Sequence, residues 1–152
     1  MAPDGTVYVS DYDGNRIFRL LPGGGLVSIA GGGVGLDGKA TNAYLNPSAL
    51  AVDRQGNLYV ADNSGGSVRR IDRQGVISTV TAIYGPQGLA FDTAGVLYVG
   101  TYSVELRGID ARGGSTNLDL SSLPAPGAPV GQHGVRFCRQ SLFQRPSTHY
   151  RY

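Results

Sequence analysis

Few residues in this 152-residue chain could do chemistry, and they are scattered. The two histidines, His133 and His149, and the single cysteine, Cys138, all lie near the C-terminus. Zinc and nucleophilic-cysteine sites need such groups at characteristic spacings, and these three match none of them. They are expected to be solvated or structurally satisfied rather than a catalytic set. No Gly-x-Ser-x-Gly nucleophile turn is present. Two glycine runs, Pro22-Gly-Gly-Gly25 and Gly31-Gly-Gly-Val-Gly35, have the flexibility of phosphate-cradling loops. Neither is followed by Lys-Ser or Lys-Thr, so both are expected to be turns between strands. Asp11 and Asp62 stand beside Gly and Asn and could lend oxygens to Ca²⁺, which takes clustered oxygen ligands. An aspartate in that company more simply accepts backbone N–H groups and fixes a turn. Asp37-Gly38 is too small a cluster for a calcium loop. No cofactor and no metal is therefore expected.

These residues are organised by an internal repeat. Pro47-Ser-Ala-Leu-Ala-Val-Asp53 recurs 39 residues later as Pro86-Gln-Gly-Leu-Ala-Phe-Asp92, and Tyr59 recurs as Tyr98 at the same offset. Val68-Arg-Arg-Ile-Asp72 returns after 38 residues as Leu106-Arg-Gly-Ile-Asp110. The phrase Gln55-Gly-Asn-Leu-Tyr-Val-Ala-Asp62 also appears earlier as Asp4-Gly-Thr-Val-Tyr-Val-Ser-Asp11. Each copy holds short β-branched and apolar runs, which suit a pleated surface, bounded by Gly, Asn and Asp. Four short strands per unit of roughly 40 residues is the pattern of a β-propeller blade. The expected fold is all-β: a partial β-propeller of about two to three four-stranded antiparallel blades, with an irregular C-terminal tail. The blades occupy 1–113, divided into a partial blade 4–30, a linker 31–46 with one helical turn over Ala40–Leu45, a blade 47–84 and a partial blade 85–113. The tail, 114–152, is rich in Ser, Pro and Arg and reads as a disordered extension.

These motifs resemble the NHL repeat family of bacterial type, over about residues 4–113. The stretch from Gly31 to Asn46 is similar to the Gly-rich linker between members of that family. The third copy departs at Thr101, where the others carry Asp11 and Asp62, and Ser67 and Glu105 replace Arg16. The resemblance implies a binding or interaction scaffold that presents blade-end loops to a protein or glycan ligand. The candidate binding surface is Asp11, Arg16, Asp62, Asn63 and Tyr102. The alternative it implies is a fragment of a propeller enzyme, a metal-dependent lyase or gluconolactonase-like hydrolase. Such enzymes hold a metal at the central channel with ligands from several blades, whereas the repeats here contain no histidine. Related propellers usually have six blades, about 240 residues at about 40 per blade. The chain is therefore expected to be a fragment, or to close its propeller by self-association. The resemblance also implies a secreted or periplasmic parent.

Composition agrees with a turn-rich β protein: 24 glycines and nine tyrosines, but one glutamate, Glu105, and one lysine, Lys39. No apolar stretch is long enough to span a membrane, and no signal peptide is legible at the start. Cys138 alone cannot form an internal disulfide. The net charge of +2 comes from the tail, where four arginines face only Asp119. The repeats are slightly acidic, so Arg69, Arg70 and Tyr59 do not form a nucleic-acid footprint. No fourth copy aligns after Gly114, a break that a shift of reading frame would also produce.

Overall fold

The structure is a computed structural model, and it describes residues 2–103 and 105–118. Among the described residues, twelve strands form three antiparallel sheets. The first contains β1 (Tyr8–Asp11), β2 (Arg16–Leu21) and β3 (Gly25–Gly31) in that order. The second contains β5 (Pro47–Val52), β6 (Leu58–Asp62), β7 (Ser67–Ile71) and β8 (Val76–Ala82), with β4 (Gly38–Lys39) added beyond β8. The third runs through β9 (Pro86–Phe91), β10 (Leu97–Thr101), β11 (Leu106–Ile109) and β12 (Ser115–Leu118).

Each sheet is a meander of sequential neighbours, the form of a propeller blade. Among the described residues the first has three strands. The third differs from the expectation of three strands ending at 113. β12 lies beyond that boundary and pairs with β11 from Leu106↔Leu118 to Ile109↔Ser115. The turn before β12 explains it, because Asp110 and Gly113 repeat the reversal that Asp72 and Gly75 make before β8. In the linker, the expected helical turn is a short 3₁₀ turn at Ala40–Asn42, preceded by β4. The other tail residues lie outside the described part.

The turns at one end of the blades are built by one device. Asp53, Asp72, Asp92 and Asp110 each accept, on one carboxylate oxygen, the N–H groups two and four residues ahead, at 2.7–2.9 Å. The residue three ahead is glycine each time, with φ of 84°, 78°, 86° and 81°. A residue with Cβ is disfavoured in that left-handed region. The first sheet uses the same reversal with Ala2 in the aspartate's place: its N–H donates to the Thr6 carbonyl at 2.8 Å.

Packing follows from period two. In β6, Leu58 and Val60 point to one face and join Ile17, Ala30, Leu45, Ile71 and Ile77 in the core between the first and second sheets. Tyr59 points the other way, against the core of Val68, Leu97, Val99 and Ile109 between the second and third. Both faces of the middle blade are thus covered. This is why its central strand is apolar at four successive residues instead of alternating.

Candidate functional site

The antiparallel registers place all five candidate residues at one end of the blades. β5 begins opposite the end of β6, with Pro47 paired to Asp62, and β9 begins opposite the end of β10, with Pro86 paired to Thr101. That end therefore carries the turns after β1, β6 and β10 and the connections that enter β5 and β9. Two backbone bonds repeat there: Asn63 N–H donates to the Asn46 carbonyl at 3.0 Å, and Tyr102 N–H to that of Gly85 at 3.1 Å. The Asn46 side chain ties neighbouring blades together, donating to Asn15 Oδ1 at 3.0 Å and to the Tyr12 carbonyl at 3.3 Å.

The candidates differ in what they leave available. Asp62 is 1% exposed. Its Oδ1 accepts Asn46 N–H at 2.9 Å and the Ser64 hydroxyl at 2.8 Å. Its Oδ2 lies 3.7 Å from Arg69 Nη1. Arg69 is equally buried. It donates to the Leu36 carbonyl and, at 2.8 Å, to Asp37, while its Nε has no partner. Asp62 and Arg69 thus hold the linker against the second blade. Asp11 accepts Gly14 N–H at 2.8 Å and closes its own turn.

Arg16 is exposed, and its guanidinium lies over Gly32, where an added Cβ would sit 2.9 Å from Nε. With Asp11, Gly14, Asn15, Phe18, Gly33 and Tyr44 it lines an open recess of about 470 Å³. Asn63 is half-buried in the second turn. Tyr102 lies 68% exposed in the third, its ring against Gly85. The structure therefore brings Asp11 and Arg16 into one recess, while Asp62, Asn63 and Tyr102 stand on other turns of the same end.

Sequence reasoning missed the other tyrosines of this end. Tyr12 is 51% exposed, Tyr44 49% and Tyr84 89%. The available signal was repeat phase. Tyr8, Tyr59 and Tyr98 recur inside strands, whereas Tyr12, Tyr44, Tyr84 and Tyr102 fall in turns and connections. The bulges that begin the inner strands were also not legible. In the registers Ser48 and Gln87 are the unpaired extra residues. Ser48 Oγ lies 2.7 Å from the Pro86 carbonyl and stitches the second blade to the third.

At the opposite end, two clefts open between sheets: one of about 390 Å³ lined by Arg19, Arg54 and Arg73, and one of about 800 Å³ lined by Arg54, Arg70 and Arg112. Burial, aided by the Asp53 charge, raises the Tyr59 hydroxyl above its ordinary value. The Val96 N–H bond holds Asp92 below the usual carboxylate range. The Thr6 N–H does the same for Asp4.

The glycine runs lie in strand β3 and in turns. Among the described residues, no three His, Cys, Asp or Glu side chains are grouped to hold a metal, and no helix is long and apolar enough to cross a membrane. His133, His149 and Cys138 lie outside those residues.

No known protein-family profile matches the chain. Teneurin-3 of Danio rerio is 37% identical over 94 residues, covering 50% of this chain and 3% of that protein. A virginiamycin B lyase from Staphylococcus aureus superposes with a TM-score of 0.59 at 16% identity, over 79% of this chain and 39% of the lyase. A candidate gluconolactonase superposes with a TM-score of 0.60 at 22% identity, over 78% of this chain and 46% of that one. The chain thus spans less than half the length of these proteins. At such identities the structural likeness speaks to the fold alone, and with the three meandering sheets it identifies the described residues as part of a β-propeller.

Proposed function

We propose that the chain is a binding module of an NHL-type β-propeller and that it holds a protein or glycan ligand at the end bearing Arg16, Asn63 and Tyr102. The observation that carries this reading is the asymmetry between the two ends. One end repeats the same closed aspartate turn, which uses its carboxylates internally. The other differs from blade to blade and exposes Tyr12, Tyr44, Tyr84 and Tyr102. Tyrosine offers a flat apolar face and a polar tip at low entropic cost, which suits recognition of sugars and protein surfaces. Asp62 serves this surface from beneath, by holding the turn that presents Asn63.

The test is a printed array of oligosaccharides and extracellular-matrix proteins probed with the chain and with a Tyr44→Ala/Tyr102→Ala variant. Binding that drops at least tenfold in the variant supports the reading. Binding that is unchanged, or lost only when Arg54 and Arg73 at the opposite end are replaced, moves the site elsewhere. The fold likeness to a lyase and a gluconolactonase keeps a catalytic alternative in view. Stoichiometric bound metal, or lactone hydrolysis above background, would favour it.

A further inference from the structure

The end that carries the closed aspartate turns also gathers arginines from all three sheets. Arg19 comes from β2, and Arg112 from the turn before β12. The second sheet and its turns supply Arg54, Arg70 and Arg73. Arg19, Arg54 and Arg73 line the cleft between the first and second sheets. Arg54, Arg70 and Arg112 line the cleft between the second and third.

Aspartates stand beside these arginines in equal number, yet the two sets do not pair. Oδ1 of Asp53, Asp72, Asp92 and Asp110 is held by two backbone N–H groups in each turn. Oδ2 of Asp53 accepts the Asn57 side-chain amide at 2.7 Å, and that of Asp92 the Tyr98 hydroxyl at 3.3 Å. Asp4 accepts Thr6 N–H at 2.9 Å. Among the described residues the ion pairs are those of Arg69 with Asp37 and Asp62, so none of the five guanidiniums in the clefts is ion-paired. Arg54 is tied to the third blade by donating to the Thr93 carbonyl. The turns thus satisfy the acids internally and leave guanidinium N–H groups for an outside acceptor. A guanidinium is a planar fork of donors that matches oxyanions.

The two clefts adjoin. Both touch Pro3, Arg54 and Gln55, so the 53–57 turn is the ridge between them. A chain with anionic groups at intervals can cross that ridge and place charge on either side. A single small anion would meet only one set of arginines. The second cleft adds hydroxyls suited to a sugar. Ser78 is the cross-strand partner of Arg70, and it and Thr79 are exposed. The aromatic rings that line the clefts, Tyr8, Tyr59 and Phe91, are half-buried. Single-stranded nucleic acid stacks its bases on exposed rings, so the lining favours an acidic sugar.

We infer that this end binds an acidic oligosaccharide across the 53–57 turn, with anionic groups on Arg19 and Arg73 in one cleft and on Arg70 and Arg112 in the other. This site is separate from the tyrosine-bearing end, and either can fail alone.

The probe is a hexasaccharide cut from heparin, which carries sulfate and carboxylate, titrated calorimetrically into the full chain. Arg19→Gln/Arg73→Gln and Arg70→Gln/Arg112→Gln each weaken binding about tenfold, as two exposed charge pairs are lost together. Lys39→Gln, a charge outside both clefts, stays within about twofold. Phenylglyoxal modification of the unsubstituted chain, read by peptide mapping, gives an answer that does not depend on how the variants fold. There the hexasaccharide protects Arg70 and Arg73 and leaves Arg16, at the other end, reactive. Absence of binding, a loss confined to one arginine pair, or an equal loss in Lys39→Gln would each overturn the proposal. Protection of Arg16 in place of Arg70 and Arg73, or tighter binding of a single-stranded RNA hexamer, would overturn it as well.

Discussion

Replacing Arg69 with methionine tests the account of the linker most directly. The guanidinium reaches from β7 to the Leu36 carbonyl and the Asp37 carboxylate. A hydrogen bond to a charged group contributes about 1.5–3 kcal/mol net. The Asp37 side chain is 63% exposed, so its share is screened to at most ~1 kcal/mol. The linker is thus held by about 2–3 kcal/mol through this one residue. Methionine keeps much of the buried volume but makes neither bond. Lys39 is the chain's only lysine, and it sits in β4, two residues from Asp37 and paired with Val76. A lysine-specific protease therefore cuts once, at the segment that Arg69 secures. When reclosing is fast, cleavage follows the population of the locally open form. A loss of 2–3 kcal/mol then raises the cutting rate by roughly 30- to 150-fold, at 1.4 kcal/mol per factor of ten. Val99→Ala, in the core between the second and third sheets, is the control: it lowers global stability without touching the linker. A cutting rate within about twofold of the parent in Arg69→Met, or an equal rise in Val99→Ala, would refute the assignment.

Three further outcomes follow from the same geometry. Val99 is fully buried, so Val99→Ala costs about 2 kcal/mol of unfolding free energy in urea, by lost transfer energy and a residual cavity. A Tyr59→Leu and Phe91→Leu double-mutant cycle in the same assay returns a coupling of about 1 kcal/mol, in the range of edge-to-face rings; a value near zero would remove the ring contact from the account of blade stacking. Asp92 has a lowered pKa when folded, so its contribution is present above the unfolded carboxylate value, near pH 4. It is lost as pH falls through the folded value. Asp92→Ala therefore lowers stability at neutral pH and flattens the acid limb of the stability curve, while a limb of unchanged slope would place the acid sensitivity elsewhere.

The fold was largely legible before any coordinates because the repeat carries its own punctuation. Aspartates recur with the repeat at the ends of its strands, and at Asp53, Asp72, Asp92 and Asp110 the hydrogen bonds make them turns. β12 lay beyond the boundary expected at 113, because its exposed residues Ser115-Thr-Asn-Leu118 have too little hydrophobic pattern to announce a strand. The surface residues were less readable. Asp11 and Asp62 look alike in sequence, yet Asp62 is sealed beneath the linker while Asp11 stays partly open, because Arg69 and Asn46 converge only on the former.

Residue types and spacing alone determined the all-β class, the blade period and the turn chemistry, since each depends on contacts within a few residues or on a pattern that repeats. Tertiary structure decided which faces meet and which ends are shared. Leu58 and Tyr59 are neighbours in sequence but enter different cores, because alternate side chains of a strand leave opposite faces and each face has its own neighbouring blade. Tyr12, Tyr44, Tyr84 and Tyr102 span 90 residues of chain, and only the return of every second strand to the same end gathers them onto one surface.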